Sequence, residues 1–113
     1  MPFINTKTNV KITDADRETL KSEFGKAREL VGKSESWLML NFEDDCKMYF
    51  KGESSSPIAF VDVSVFGKST DEGCENMTKE ICSVLNRVLA IPADKVYVKY
   101  SGTTQWGWNN MNF

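Results

Sequence analysis

The chain passes twice through the same order of patterns, strand then helix then strand, and the two passes are of similar length. In the first pass, Phe3 to Asn9 alternates aromatic, β-branched and polar residues, as a strand does. Thr13 or Asp14 can cap the helix that follows. Leu20, Phe24, Ala27 and Val31 recur at helical intervals and define one apolar face. Gly32 is placed to end that helix. Trp37 to Glu43 then alternates again, with Leu38, Leu40 and Phe42 on one face. In the second pass, Ile58 to Phe66 sets Ala59, Val61, Val63 and Val65 against Asp62 and Ser64, the clearest strand pattern in the chain. Ser69 or Thr70 caps a helix with a stripe of Cys74, Met77, Ile81, Val84, Leu85 and Val88, and Pro92 prevents its continuation. Val96 to Tyr100 is the last main strand, with Val96, Val98 and Tyr100 on one side and Tyr97 and Lys99 on the other. Between the passes, Asp44 to Lys47 reads as a polar turn, Met48 to Phe50 as a short extended piece and Lys51 to Pro57 as loop.

An amphipathic strand–helix–strand unit leaves one sheet face to cover, and two such units cover it together. The expected fold is therefore α/β (α+β): two βαβ units in one four-stranded mixed sheet, with two helices on one face. With 113 residues, the chain is expected to be a single domain over 1–113.

Charge and composition remove several function classes. Fourteen basic and 16 acidic residues give a net charge of −2 and are interspersed. No basic stripe is present, so nucleic-acid binding is not expected. No apolar run approaches a membrane span, and no membrane partner is expected. The start, Met1-Pro2-Phe3-Ile4-Asn5-Thr6-Lys7, has no charged segment followed by an apolar one, so a secretory signal peptide is not expected. The expectation is cytoplasmic residence, with any secretion using a route that needs no signal peptide. Three cysteines, Cys46, Cys74 and Cys82, make an odd set with no Cys-x-x-Cys pair. Buried thiols fit better than a disulfide framework or a zinc site, and no metal is expected.

The chain contains no histidine. Ser-His-Asp and Cys-His catalysis are thereby excluded. Acid–base chemistry near neutral pH must come from a perturbed carboxylate, lysine, tyrosine or cysteine, or from the amino terminus.

Several segments, in order, are similar to the macrophage migration inhibitory factor family of the tautomerase superfamily. They are Met1-Pro2-Phe3-Ile4 with Thr8-Asn9-Val10, Gly32-Lys33, Met48-Tyr49-Phe50 with Gly52, Phe66-Gly67-Lys68, Val96-Tyr97-Val98, and Gly107-Trp108-Asn109-Asn110 through Phe113. The resemblance runs end to end, with one extra residue in the loop before Pro57. It implies a homotrimer with active sites between subunits and no cofactor. It implies Pro2 as the base in keto–enol exchange of aryl keto acids such as phenylpyruvate, and in dopachrome isomerisation. It also implies a cytokine-like role outside cells through a cell-surface receptor. A binding protein with weak or no tautomerase activity is the alternative.

Those residues suit that chemistry. Moving a proton on and off carbon calls for a base whose pKa lies near the working pH. A chain amino terminus starts closer to neutrality than lysine, and a proline nitrogen is a secondary amine fixed by its ring. Apolar burial and nearby cations both disfavour its charged form. Met1 must be removed first, because the nitrogen of an internal proline is an amide. By the resemblance, Lys33 holds the substrate carboxylate, Phe66 offers its backbone amide, Tyr97 is an aromatic wall from a neighbouring subunit, and Trp108 and Phe113 form the rim.

Three positions depart from the vertebrate pattern. Lys99 stands where asparagine is usual, on the face of Tyr97, where a second cation would draw carboxylates. Trp106 replaces a small apolar residue and narrows the entrance. Ile58-Ala59-Phe60-Val61 replaces the Cys-x-x-Cys of some members, so thiol–disulfide exchange at that motif is not expected. Each residue also has a plainer reading. Lys33 suits a helix C-terminus, Lys99 suits a solvated or salt-bridged strand face, Tyr97 suits strand packing, and Trp106 and Trp108 suit a subunit interface.

Overall fold

A computed structural model describes residues 2–32 and 37–113. The elements follow in the order β1 (Pro2–Thr8), α1 (Asp14–Ala27), β2 (Met39–Glu43), β3 (Ala59–Phe66), α2 (Asp71–Leu89), β4 (Val96–Thr103), β5 (Gly107–Trp108) and β6 (Met111–Asn112). The main sheet has four strands in the order β2-β1-β3-β4. β1 and β2 are parallel, β3 and β4 are parallel, and β1 and β3 meet antiparallel at the centre. Parallel neighbours need a crossover, and α1 and α2 supply them. The two βαβ units thus join back to back in one mixed sheet, as the repeated pattern implies.

Alternation decides the faces. Ala59, Val61, Val63 and Val65 of β3 are buried, as are Pro2, Ile4, Thr6 and Thr8 of β1. Ile4 and the four β3 residues pack with Leu20 and Phe24 of α1 and Met77, Ile81, Val84 and Leu85 of α2. Each fully buried large side chain contributes about 1.5–3 kcal/mol, so this layer holds the two helices to the sheet. Leu38, Leu40 and Phe42 pack half-buried at its edge. The opposite face, carrying Phe3, Asn5, Asp62, Tyr97 and Lys99, has no layer over it among the described residues.

Capping chooses between the residues the sequence leaves open. Thr13 accepts the N–H of Asp16 and Thr70 accepts that of Gly73, so the threonines are the caps. α1 passes into a 3-10 turn, Arg28–Val31, which Gly32 ends at φ +72°. α2 stops at Leu89 with Ala90 left-handed, ahead of Pro92. β2 starts at Met39, later than the alternation from Trp37 suggests. The Met48 to Phe50 piece comes down to one bridge between Phe50 and Glu53.

Thr8 and Asn9 pin the loop before β3. Thr8 Oγ1 donates to the Ile58 carbonyl at 2.6 Å and accepts the Val10 N–H. Asn9 accepts the Ile58 N–H at 2.8 Å and donates to the Ser56 carbonyl at 2.9 Å. These contacts fix where β3 begins and so set its register against β1.

The tail is more ordered than its composition suggests. β5 and β6 form a hairpin around Asn109 and Asn110, which have φ values of 53° and 67°. Two left-handed residues at the centre give the turn whose twist matches paired strands, and asparagine tolerates that conformation.

Candidate active site

Pro2 is the first residue of β1, where a missing N–H is tolerated. It faces Val65 across the antiparallel ladder and is buried. A cleft of about 320 Å³ opens over it, lined by Pro2, Phe3, Trp37, Leu38, Met39, Trp106, Gly107 and Trp108. None of these carries a charged side chain.

Three elements bring the walls together. Parallel pairing sets Met39 beside Phe3, which brings Leu38 level with Pro2 and Trp37 one residue beyond it. The terminal hairpin supplies Trp106 and Trp108, and the Phe113 N–H closes it by donating to the Trp106 carbonyl at 3.1 Å. Aromatic contacts then join hairpin to sheet. Trp108 meets Trp37 edge to face at 4.8 Å and stacks on Phe113 at 6.3 Å. Phe113 lies 5.5 Å from Phe66, at the end of β3. Such pairs contribute about 0.5–1.5 kcal/mol each beyond burial, so these rings hold the hairpin in place.

Of the residues singled out from the sequence, Pro2, Trp106 and Trp108 line this cleft, and Phe66 and Phe113 support it from behind Trp108. Lys33 lies outside the described residues. Tyr97 and Lys99 are elsewhere in the same chain. Tyr97 pairs with Phe60, five residues along β3 from the Val65 that faces Pro2. At about 3.4 Å per residue that is roughly 17 Å. Its ring packs with Phe50 at 5.2 Å and Phe60 at 6.5 Å. Lys99 lies beside Asp62, its Nζ 3.7 Å from Oδ2. It is the salt-bridged strand-face lysine that its plainer reading anticipates.

Trp37 is a wall that the sequence reading treats only as the start of a strand. The signal was available: alternation sets it opposite Leu38, on the face away from the core. The hairpin was missed as well, although Gly-Trp-Asn-Asn between aromatic residues carries the turn chemistry.

Cys74, Cys82, Tyr100 and Asp44 are all shifted away from neutrality. Burial raises the Cys74 and Cys82 thiols. Burial also pushes the Tyr100 phenol up to about 12, although its hydrogen bond with Thr78 opposes the shift. Asp44 accepts the Ile12 N–H at 2.9 Å, and that bond lowers its pKa. A larger groove of about 600 Å³ runs between α1 and β2, past Leu38, Leu40 and Phe42. Its rim charges Glu18 and Lys21 are paired at 2.8 Å. Among the described residues no group of three or more Cys, Asp or Glu side chains is placed to hold a metal ion. No helix among them is long and apolar enough to cross a membrane.

Two back-to-back βαβ units, with helices on one face of a mixed sheet, define the tautomerase type of α/β fold. The model of the macrophage migration inhibitory factor (MIF) family matches residues 1–112, and the chain belongs to that family. It is 31% identical to the macrophage migration inhibitory factor of Xenopus laevis over 116 aligned positions, covering 100% of this chain and 99% of the relative. The Rattus norvegicus protein is 27% identical over 115 positions, covering 100% of this chain and 99% of its own. Among solved structures, Leishmania major MIF2 superposes with a TM-score of 0.92 at 35% identity, over 100% of this chain and 97% of that one. A homologue from Prochlorococcus marinus gives 0.88 at 26% identity, over 98% of both chains.

Proposed function

We propose that this protein is a cofactor-independent keto–enol tautomerase of aryl keto acids such as phenylpyruvate, and an isomerase of dopachrome-type substrates. The single domain spans 1–113, and Pro2 is its base once Met1 is removed. The observation that carries the reading is the position of Pro2: buried, first in its strand, under an uncharged aromatic cleft. A secondary amine buried there is poorly solvated when protonated, so its pKa falls towards neutrality. Free amine is then available at pH 7 to take a proton from the carbon beside the substrate carbonyl. The same nitrogen returns it to the other face or atom of the enolate, so no net proton is consumed.

The indoles of Trp37, Trp106 and Trp108 provide flat apolar surface for an aryl ring. Lys33 holds the carboxylate and favours the charge that develops on the enolate. The backbone amide at Phe66 contributes a further donor. Tyr97 and Lys99 can reach a Pro2 only from another copy, because in their own chain they lie well along the sheet from it. A homotrimer with sites between subunits would bring them there from a neighbouring copy. The uncovered sheet face, where Met39 is 66% and Tyr97 is 60% exposed, supports such an assembly. Large apolar side chains clustered on one face mark interaction surfaces.

A second reading is a cytokine-like binding protein that meets a cell-surface receptor and turns over weakly or not at all. Trp106 favours it, because an indole in the cleft mouth leaves less room for an aryl substrate. Rates of phenylpyruvate ketonisation by the wild type and by Pro2→Gly, each confirmed folded, separate the two. The enzyme reading predicts a loss of at least about 100-fold, the size of a general-base contribution. Equal rates remove Pro2 from the mechanism.

A further inference from the structure

Three of the side chains around the cleft over Pro2 are indoles, those of Trp37, Trp106 and Trp108. Their arrangement leaves ring surface free. Trp37 and Trp108 stand at 83° to each other, so they form two walls of a corner rather than a stacked pair that hides both faces. Phe113 lies nearly parallel to Trp108, at 10° and 6.3 Å, and backs it. Trp37 is 47% and Trp108 46% exposed, so each keeps indole surface open. The backbone of Trp106 is held where its carbonyl accepts the Phe113 N–H at 3.1 Å. Leu38 and Met39 add apolar surface, and no charged side chain among the described residues lines the cleft.

An aromatic face carries the negative end of the ring quadrupole, and indole attracts cations best among the aromatic side chains. Several indoles around one space draw a cation without a formal charge that would itself need solvation. The kind of cation follows from what the cleft lacks. A primary ammonium carries N–H donors that must be met once it leaves water. None of the lining side chains offers it an oxygen acceptor. A quaternary ammonium has no N–H to leave unmet, and its methyl groups pack against rings. The cleft volume of about 320 Å³ lies at the small end of the range for ligand sites, about 300–1,000 Å³, which suits a compact head group.

We infer that the three indoles make this cleft a binding site for small quaternary ammonium groups of the trimethylammonium class. The inference goes beyond the tautomerase reading, because it needs the indoles and not a basic Pro2. A ligand seated there covers Pro2 and keeps an aryl keto acid from it.

The test is titration of protein lacking Met1 with choline, followed by tryptophan fluorescence and checked by calorimetry. It is made at mildly alkaline pH, where the Pro2 nitrogen is uncharged. The control is the neutral isostere of choline, in which a tert-butyl group replaces the trimethylammonium, so that charge is the difference between the two. The expected result is saturable choline binding in the millimolar range or tighter, at least about ten-fold stronger than the isostere. Trp106→Leu keeps apolar bulk but removes one ring, and should lose most of that preference. Trp106→Phe keeps a ring there and should retain it. If Trp106→Leu does not fold, Trp37→Leu takes its place and is read in the same way. Choline that does not saturate at millimolar concentration, an isostere that binds as tightly, or a folded leucine variant with undiminished preference overturns the inference. Turnover plays no part in these readings, so they are separate from the fate of Pro2 as base.

Discussion

Trp37 and Trp108 meet edge to face with ring centroids 4.8 Å apart, one from the approach to β2 and the other from the terminal hairpin. This contact ties the last residues of the chain to the level of its first strand. It makes the cleft over Pro2 a joint product of both ends. Trp108→Ala removes this pair and the stack on Phe113 together. The expected cost is about 1–3 kcal/mol, two aromatic pairs at their usual worth. A lower thermal midpoint should accompany faster amide exchange confined to β5 and β6. Unchanged exchange in the hairpin would show that its strand pairing alone holds it.

Gly73 stands where the first turn of α2 crosses the end of the 3-10 turn after α1. A Cβ there would lie 2.6 Å from the Leu30 carbonyl oxygen and 3.0 Å from Thr70 Oγ1. The first neighbour is backbone and cannot swing aside. Gly73→Ala should therefore destabilise by about 1–3 kcal/mol, as overpacking does, despite the better helix propensity of alanine. Urea unfolding measures this. A stabilised variant would mean that the two helices are not held at this separation.

Tyr100 predicts an alkaline limb. Its hydroxyl lies 2.7 Å from Thr78 Oγ1, and burial raises its pKa to about 12. An unfolded tyrosine titrates near 10. The folded state thus keeps its proton where the unfolded state has lost it. The contribution is full below about pH 10 and is lost as pH rises through about 12. Tyr100→Phe should cost about 1 kcal/mol at neutral pH, one hydrogen bond. It should also show a shallower fall in stability than wild type between about pH 10 and 12. Parallel curves would assign the alkaline limb to other groups.

Most of the fold was legible because its signals are local. Alternation in Ala59 to Val65 and helical spacing in Met77, Ile81, Val84 and Leu85 survive into the buried core. The end of β1 and the start of β3 each moved by one residue because Thr8 and Asn9 turn their side chains to Ile58, a contact between distant residues that periodicity does not report. The hairpin escaped because its strands are two residues each, too short to show alternation. The site was legible in part. Pro2, Trp106 and Trp108 converge, whereas Trp37 joins them only through the parallel register of β1 and β2. That Lys99 finds Asp62 follows from the pairing of β3 with β4, which alternation within one strand cannot specify.

The central claim is that the free nitrogen of Pro2 is the base. Phenylpyruvate ketonisation should be measured with protein whose mass shows Met1 removed and with protein that retains it. Turnover should be confined to the processed form, because only there is the proline nitrogen an amine. Equal turnover by the form that keeps Met1 would contradict it, since an amide nitrogen cannot take the proton.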